Sequence, residues 1–136
     1  METLTATKNN VEVIKQAFDD FLKGNIPAVA DACAEDVEWA SYENPDVPYG
    51  TSYHGKKGVT EFFTTLGQNV NYSRFEPYQF FSQGDDVVVL GHHTGTVKST
   101  GKTFDHDWTF SFRLNNGKLK RFFAYVDTRD QAKAFE

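Results

Sequence analysis

Residues 103–114 read TFDHDWTFSFRL, a stretch in which apolar and polar side chains alternate with a period of two. This period is typical of a β-strand that has one buried face, because consecutive side chains on a strand point to opposite sides of the sheet. One face carries Phe104, His106, Trp108, Phe110, Phe112 and Leu114. This apolar face is predicted to be the buried one, and it takes a histidine into the interior.

The strand before it, VVVLGHHTGTV, places two adjacent histidines between two glycines. Only one of the pair can face inward, since side chains alternate along a strand. A turn centred on residues 99–102 sets His93 opposite Trp108 and diagonal to His106, so that His93 faces the interior and His92 faces out. Diagonal neighbours lie roughly 7–8 Å apart, which allows both inward imidazoles to contact one small molecule or a bridging water.

Helical patterns occupy the N-terminal part of the chain. Asn9 or Asn10 is a candidate N-cap, and apolar residues then recur at helical spacing until Gly24. A second, shorter helix is predicted from Asn25, with Cys33 on its buried face. The other predicted elements are a third helix at about 56–70 and strands at 37–42, 72–83, 86–98, 103–115 and 118–127. A short closing helix is predicted after Asp127, with Asp127 as its cap and Thr128 and Asp130 in its first turn.

Helices followed by a meander of long strands predict an α+β fold with a curved antiparallel sheet on one face of the helices. The chain has 136 residues, enough for one domain with a single core. We expect a tail at residues 1–8 and one domain at residues 9–136.

Composition excludes several classes of function. The net charge is −5, and the absence of a Lys or Arg run argues against binding to nucleic acid or an anionic membrane. No signal peptide or membrane span is apparent, so a soluble cytoplasmic protein is expected. Cys33 is the only cysteine, which argues against a disulfide framework or a cysteine metal site, and no cofactor is predicted.

The aromatic content of 15% fits a filled core, a pocket lining or an oligomer interface equally well.

Five segments along the chain resemble one family. They are LKGN (22–25), AEDVEW (34–39), YHGKKGVTEFF (53–63), STGKTFDHDW (99–108) and RLNNGKLKRFFAYVDTRD (113–130). In this order the chain resembles the nuclear transport factor 2-like superfamily, in its SnoaL-like and ketosteroid-isomerase-like branch. The resemblance implies a cone-shaped curved antiparallel sheet wrapped around three N-terminal helices, one deep apolar cavity, and a homodimer formed through the sheet.

The catalytic groups of that family are missing here. Its isomerases use a general-base aspartate where this chain has Ser41, and a second aspartate where it has Phe110. Its cyclases and epoxide hydrolases use an aspartate at the position of Ala124, and the hydrolases' paired arginine and aspartate align with Gly91 and His93. The resemblance therefore leaves the activity open.

The orientation of the last strand depends on the turn before it. A three-residue loop at residues 115–117 would place Phe122 and Ala124 in the interior, which is the orientation implied by the family resemblance. A two-residue Asn-Gly turn would instead place Arg121, Phe123 and Tyr125 in the interior. The sequence leaves both orientations open.

Two functions from different classes fit this sequence. The first is binding of a small hydrophobic ligand, cyclic or carbonyl-bearing, in an aromatic pocket. The alternative is an isomerase, cyclase or hydrolase that uses His93 and His106 as acid and base. A third hypothesis is that the domain serves only as a dimer scaffold, with its cavity filled by its own side chains. No metal site is predicted, because two inward histidines are too few ligands for a closed site. The predicted ligand-binding residues are Phe18, Trp39, Ser41, Tyr53, Phe62, His93, His106, Trp108, Phe110, Phe122 and Ala124.

Overall fold

The computed structural model describes residues 2–136 and the side chains of residues 10–136. The helices are α1 (Glu2–Leu22), α2 (Ile26–Asp31), α3 (Gly55–Asn69) and α4 (Thr128–Ala134). The strands are β1 (Cys33–Ser41), β2 (Tyr53–His54), β3 (Val70–Gln83), β4 (Asp86–Val97), β5 (Thr103–Asn115) and β6 (Lys118–Tyr125).

The six strands form one curved sheet in the order β2-β1-β6-β5-β4-β3. The predicted α+β cone is confirmed, with the apolar side of α1 packed on the sheet through Ile14 and Phe18. The sheet is mixed rather than wholly antiparallel, because β1 joins the edge of the meander parallel to β6. None of the described helices is both long enough and apolar enough to cross a membrane.

The helix ends differ from those predicted in two places. Helix α1 begins at Glu2, because no Gly or Pro interrupts the chain before its C-terminal end, and Asn10 does not cap it. The Asn10 amide instead donates to the carbonyl of Gly84, in the turn between β3 and β4. Cys33 was predicted on α2 but opens β1, where burial raises the pKa of its thiol to about 11. The division into a tail at 1–8 and a domain at 9–136 stays a prediction.

The pairing of β4 with β5 corrects the predicted register by two residues. His93 stands directly opposite His106, and Gly91 stands opposite Trp108. The connecting loop is centred one residue earlier than predicted, with the amide of Val97 donating to the carbonyl of Lys102. A shift of two leaves the faces unchanged, so His93 and His106 are buried, at 2% and 8% exposure.

The two glycines of β4 leave space for two aromatic side chains of β5, which pack directly over them. A Cβ added to Gly91 would lie 2.2 Å from the Trp108 ring, and one added to Gly95 would lie 2.5 Å from the Phe104 ring. The Trp108 ring also stacks on Phe110, with centroids 3.8 Å apart. These contacts explain why glycines flank the histidine pair.

The last turn has two residues, Asn116 and Gly117, both with positive φ. This turn alone would have pointed Phe123 inward, but a bulge at Lys120 shifts the register of β6 by one residue. Phe122 and Ala124 are consequently buried.

Replacing Gly91 by Ala is expected to lower the free energy of unfolding by about 1–3 kcal/mol, because the Trp108 ring has to move away from its stacked position. Gly67→Ala is the matched control. Nothing lies within 4 Å of a Cβ at that helix position, and alanine favours a helix by up to about 1 kcal/mol. Urea unfolding of both variants measures the difference. An unchanged midpoint for Gly91→Ala would contradict the close packing.

Candidate functional site

An apolar cavity of about 100 Å³ lies between the sheet, α1 and α3. Rings form much of its wall; Trp39 stacks on Phe122 with centroids 4.2 Å apart, and Phe18 lies parallel to Phe110. Among the described residues that line the cavity there is no Asp, Glu, Lys or Arg. His93 is the one histidine among these described lining residues, so its imidazole is the basic nitrogen group of the wall.

Most of the residues predicted to contact a ligand come together around this cavity: Phe18, Trp39, Ser41, Phe62, His93, Phe110, Phe122 and Ala124. Three do not line it. Trp108 packs over Gly91 and stacks on Phe110, His106 is hydrogen-bonded to His93, and Tyr53 packs edge-on against Phe62. Ser41, Phe110 and Ala124, where the resemblance implies carboxylates in other proteins, thus line the cavity without supplying one.

A chain of three side chains leads away from the cavity wall. Nε2 of His93 and Nε2 of His106 are 2.9 Å apart, and Nδ1 of His106 donates to Oδ2 of Asp130 at 2.8 Å. The same carboxylate oxygen accepts the backbone N–H of Asp105 at 2.9 Å. The direct contact replaces the diagonal separation predicted from the sequence.

Helix α4 places Asp130 at the end of this chain. Asp127 caps the helix by accepting the backbone N–H of Asp130, as the sequence predicts for this position. Asp130 lies in the first turn of α4, and its side chain reaches the backbone of β5 at Asp105. Burial alone raises the pKa of Asp130, but the hydrogen bonds from His106 and from the Asp105 amide outweigh it, so the pKa is lowered.

The remaining ring nitrogen of His93 is buried without a hydrogen-bond partner. Desolvation of the buried ring is the largest cause that lowers the pKa of His93 to about 3, and electrostatic interactions with His106 and His92 lower it in the same direction. The imidazole is thus neutral at physiological pH. The indole N–H of Trp39, also in the cavity wall, is likewise buried and unpaired. Buried polar atoms without partners are costly and are a small minority in folded proteins.

His92 faces the other side of the sheet, as predicted. Its ring nitrogens lie 2.7 Å from Asp107 and 2.6 Å from Asp105. The hydrogen bonds to Asp107 and Asp105 raise the pKa of His92. Within the part of the chain described structurally, no group of three or more His, Cys, Asp or Glu side chains is arranged to hold a metal ion.

Sequence reasoning missed the role of Asp130 and the contribution of β3. Asp130 was interpreted only as a residue of the first helical turn, and it lies 24 positions from His106. Tyr72 and Phe75 pack within 6 Å of the His93 ring, between ring centroids. Their alternation along the strand is interrupted by two register shifts, which conceals the inward face of β3.

A curved α+β sheet around one apolar cavity defines the class of protein, and comparison with known families identifies it. The model of the SnoaL-like domain matches residues 14–122. The chain belongs to this family.

Solved structures support the assignment. An NTF2-like protein from Burkholderia xenovorans LB400 is 31% identical, with 96% of this chain and 98% of that chain covered and a TM-score of 0.87. TerC, co-crystallized with polyporic acid, is 26% identical over 93% of this chain and 98% of its own, with a TM-score of 0.84. A proposed SnoaL-like polyketide cyclase from Mesorhizobium loti is 20% identical over 85% and 97%, with a TM-score of 0.70, and shows the fold alone. No curated protein sequence gives a significant match.

The two adjacent histidines are expected to change stability with pH in opposite directions. In the unfolded chain a histidine has a pKa near 6.5, whereas folded His93 titrates at about 3, so acid favours the unfolded state. Protonation of His93 in the unfolded chain lowers the free energy of unfolding by on the order of 2 kcal/mol at about pH 5, and His93→Phe should remove this loss. His92 has a raised pKa, and its contribution is present in acid and disappears as pH rises through the folded value.

Urea unfolding of the wild type, His93→Phe and His92→Gln at about pH 7.5 and pH 5 measures both effects. Relative to the wild type, His93→Phe should gain stability on acidification and His92→Gln should lose it. The same sign for both variants would contradict the burial of His93 and the exposure of His92.

Proposed function

We propose that this SnoaL-like domain binds a small hydrophobic, ring-bearing ligand in the aromatic cavity, with a polar group of the ligand hydrogen-bonded to Nδ1 of His93. The observation that carries the proposal is this nitrogen, which is buried in a residue of the cavity wall and has no partner. A ligand that pairs it recovers a cost of about 1–3 kcal/mol for a buried unsatisfied group.

The size and polarity of the cavity favour a compact apolar molecule. An engineered apolar cavity of about 150 Å³ is known to accommodate benzene, and the cavity here, at about 100 Å³, is of the same order. The unpaired N–H of Trp39 offers a second point of attachment, to an acceptor on the ligand. The co-crystallization of TerC with polyporic acid supports an organic ligand for a domain of this kind.

Ligand binding fits His93 better than general-base catalysis does. An efficient acid–base group has a pKa near the working pH, and that of His93 is about 3. The imidazole therefore has little tendency to take a proton from a substrate at neutral pH. It can still accept or donate a hydrogen bond, which needs no change of charge.

An isomerase, cyclase or hydrolase that uses His93 and His106 is the second candidate. The contact of the two rings, backed by Asp130, favours it because a proton taken up at His93 can be shared with His106. Turnover of a cyclic ketone or epoxide that disappears in His93→Phe, while the affinity for that compound persists, would establish this function in place of simple binding.

A binding test needs a probe that fits the cavity, and p-cresol carries one ring and one hydroxyl. We expect saturable shifts of cavity-residue signals in an NMR titration of the wild type. Ala124→Leu should weaken binding at least tenfold, because the added side chain occupies the cavity. Phe123→Leu is the control, since this neighbour lies on the opposite face of β6.

Two results would overturn the binding function. One is the absence of saturable shifts with p-cresol and with larger hydroxylated ring compounds. The other is equal affinity for p-cresol in the wild type and in folded Ala124→Leu, which would place the probe outside the cavity.

We further propose that the outer face of the sheet pairs two copies of the chain. Tyr42, Phe123 and Tyr125 form a ring cluster there, with centroids 4.7–5.9 Å apart, and Tyr42 and Tyr125 are 55% and 44% exposed. Exposed apolar clusters of this kind mark interaction surfaces. Light scattering should give a dimer mass for the wild type and a monomer mass for Tyr125→Asp. A monomeric wild type would contradict the pairing.

A further inference from the structure

The hydrogen bonds around His93 restrict the chemistry of the ligand, and this inference rests on the proposed binding function. The carboxylate of Asp130 is an acceptor only, since its pKa is lowered and it also receives the N–H of Asp105. The proton between Asp130 and His106 therefore belongs to Nδ1 of His106.

The proton position on His106 in turn determines which nitrogen of His93 is protonated. A neutral imidazole carries one N–H, so a proton on Nδ1 of His106 leaves its Nε2 as an acceptor. The hydrogen bond of 2.9 Å between the rings then requires His93 to donate through its own Nε2. The Nδ1 of His93 is left without a proton, as a bare acceptor at the cavity wall.

We propose that Asp130, which does not line the cavity, fixes the tautomer of His93 through His106, and that the cavity therefore selects ligands that donate an O–H or N–H to Nδ1 of His93. Phenols, enols and ring N–H compounds belong to this class. Ethers, ketones and carboxylates offer only acceptors at that point and leave the nitrogen unpaired. Asp130 and His106 are positioning residues in this arrangement, because they act through His93.

The tautomer can be determined in the protein without any ligand. Two-bond ¹⁵N–¹H spectra of histidine-labelled protein at about pH 8, where ordinary imidazoles are neutral, distinguish the two ring nitrogens. His54→Gln and His92→Gln assist the assignment of the signals. We expect His93 protonated on Nε2 and His106 protonated on Nδ1. A proton on Nδ1 of His93 overturns the inference.

Three para-substituted toluenes test the selection itself, and p-cresol and p-xylene are the pair matched in size. p-Cresol can donate a hydrogen bond, p-xylene can form none, and 4-methylanisole can only accept. At about pH 8 a phenol is still protonated, and one recovered hydrogen bond should make p-cresol bind about tenfold more tightly than p-xylene. 4-Methylanisole cannot pair Nδ1 of His93 and can accept only from the N–H of Trp39, so it should bind less tightly than p-cresol. Equal binding of p-cresol and p-xylene, or tighter binding of the ether, overturns the selection while leaving the binding function intact.

Substitution of Asp130 separates its electrostatic role from helix capping. Asp130→Ala removes the carboxylate but keeps the backbone N–H that Asp127 accepts. It should mix the two tautomers of His93 and reduce the preference for p-cresol over p-xylene several-fold. Asp127→Ala removes the cap without removing a hydrogen bond from His106, and it should leave the preference unchanged.

The remaining outcomes also decide the question. Equal loss of preference in Asp130→Ala and Asp127→Ala assigns the effect to the folding of α4 and overturns the positioning role. Absence of binding by all three probes and by the larger hydroxylated ring compounds, with His93 protonated on Nε2 in the spectra, refutes the binding function and the ligand class while the tautomer assignment stands.

Discussion

The cross-strand contact between His93 and His106 is the interaction on which the site depends. It exists because β4 and β5 pair these residues directly, and Gly91 beside them leaves room for the Trp108 ring that stacks on Phe110. A side chain larger than hydrogen at Gly91 would displace the Trp108 ring from this position. The packing of β5 on β4 therefore produces both the aromatic wall and the orientation of the imidazole within it.

Polarity is distributed unevenly around this contact. The cavity side presents mainly rings, with the unpaired Nδ1 of His93 and the unpaired indole N–H of Trp39, whereas the carboxylate that orients the imidazoles lies on α4, outside the wall. A buried charge in the cavity would be costly to desolvate, and two imidazole rings in contact convey the influence of Asp130 without bringing its carboxylate inside. The site is thus suited to recognising a polar hydrogen on an otherwise apolar ligand.

The sequence predicted the architecture and the inward face of β5 because these depend on local periodicity and turn residues. It placed His93 inward despite a register two residues off, since a shift of two preserves the face. The bulge at Lys120 could not be foreseen, because the Asn-Gly turn alone specifies the opposite face for β6. Asp130 was missed for a related reason: its contact with His106 comes from the docking of α4, which no short-range pattern encodes.

The most direct test of this account is a crystal structure of the protein with p-cresol. The account places the ring in the cavity among Phe18, Trp39 and Phe110, with the hydroxyl oxygen within hydrogen-bond distance of Nδ1 of His93. The bonds from His93 to His106 and from His106 to Asp130 should be retained. A cresol bound in the same cavity with its hydroxyl directed away from His93, or bound only outside the cone, would contradict the central claim.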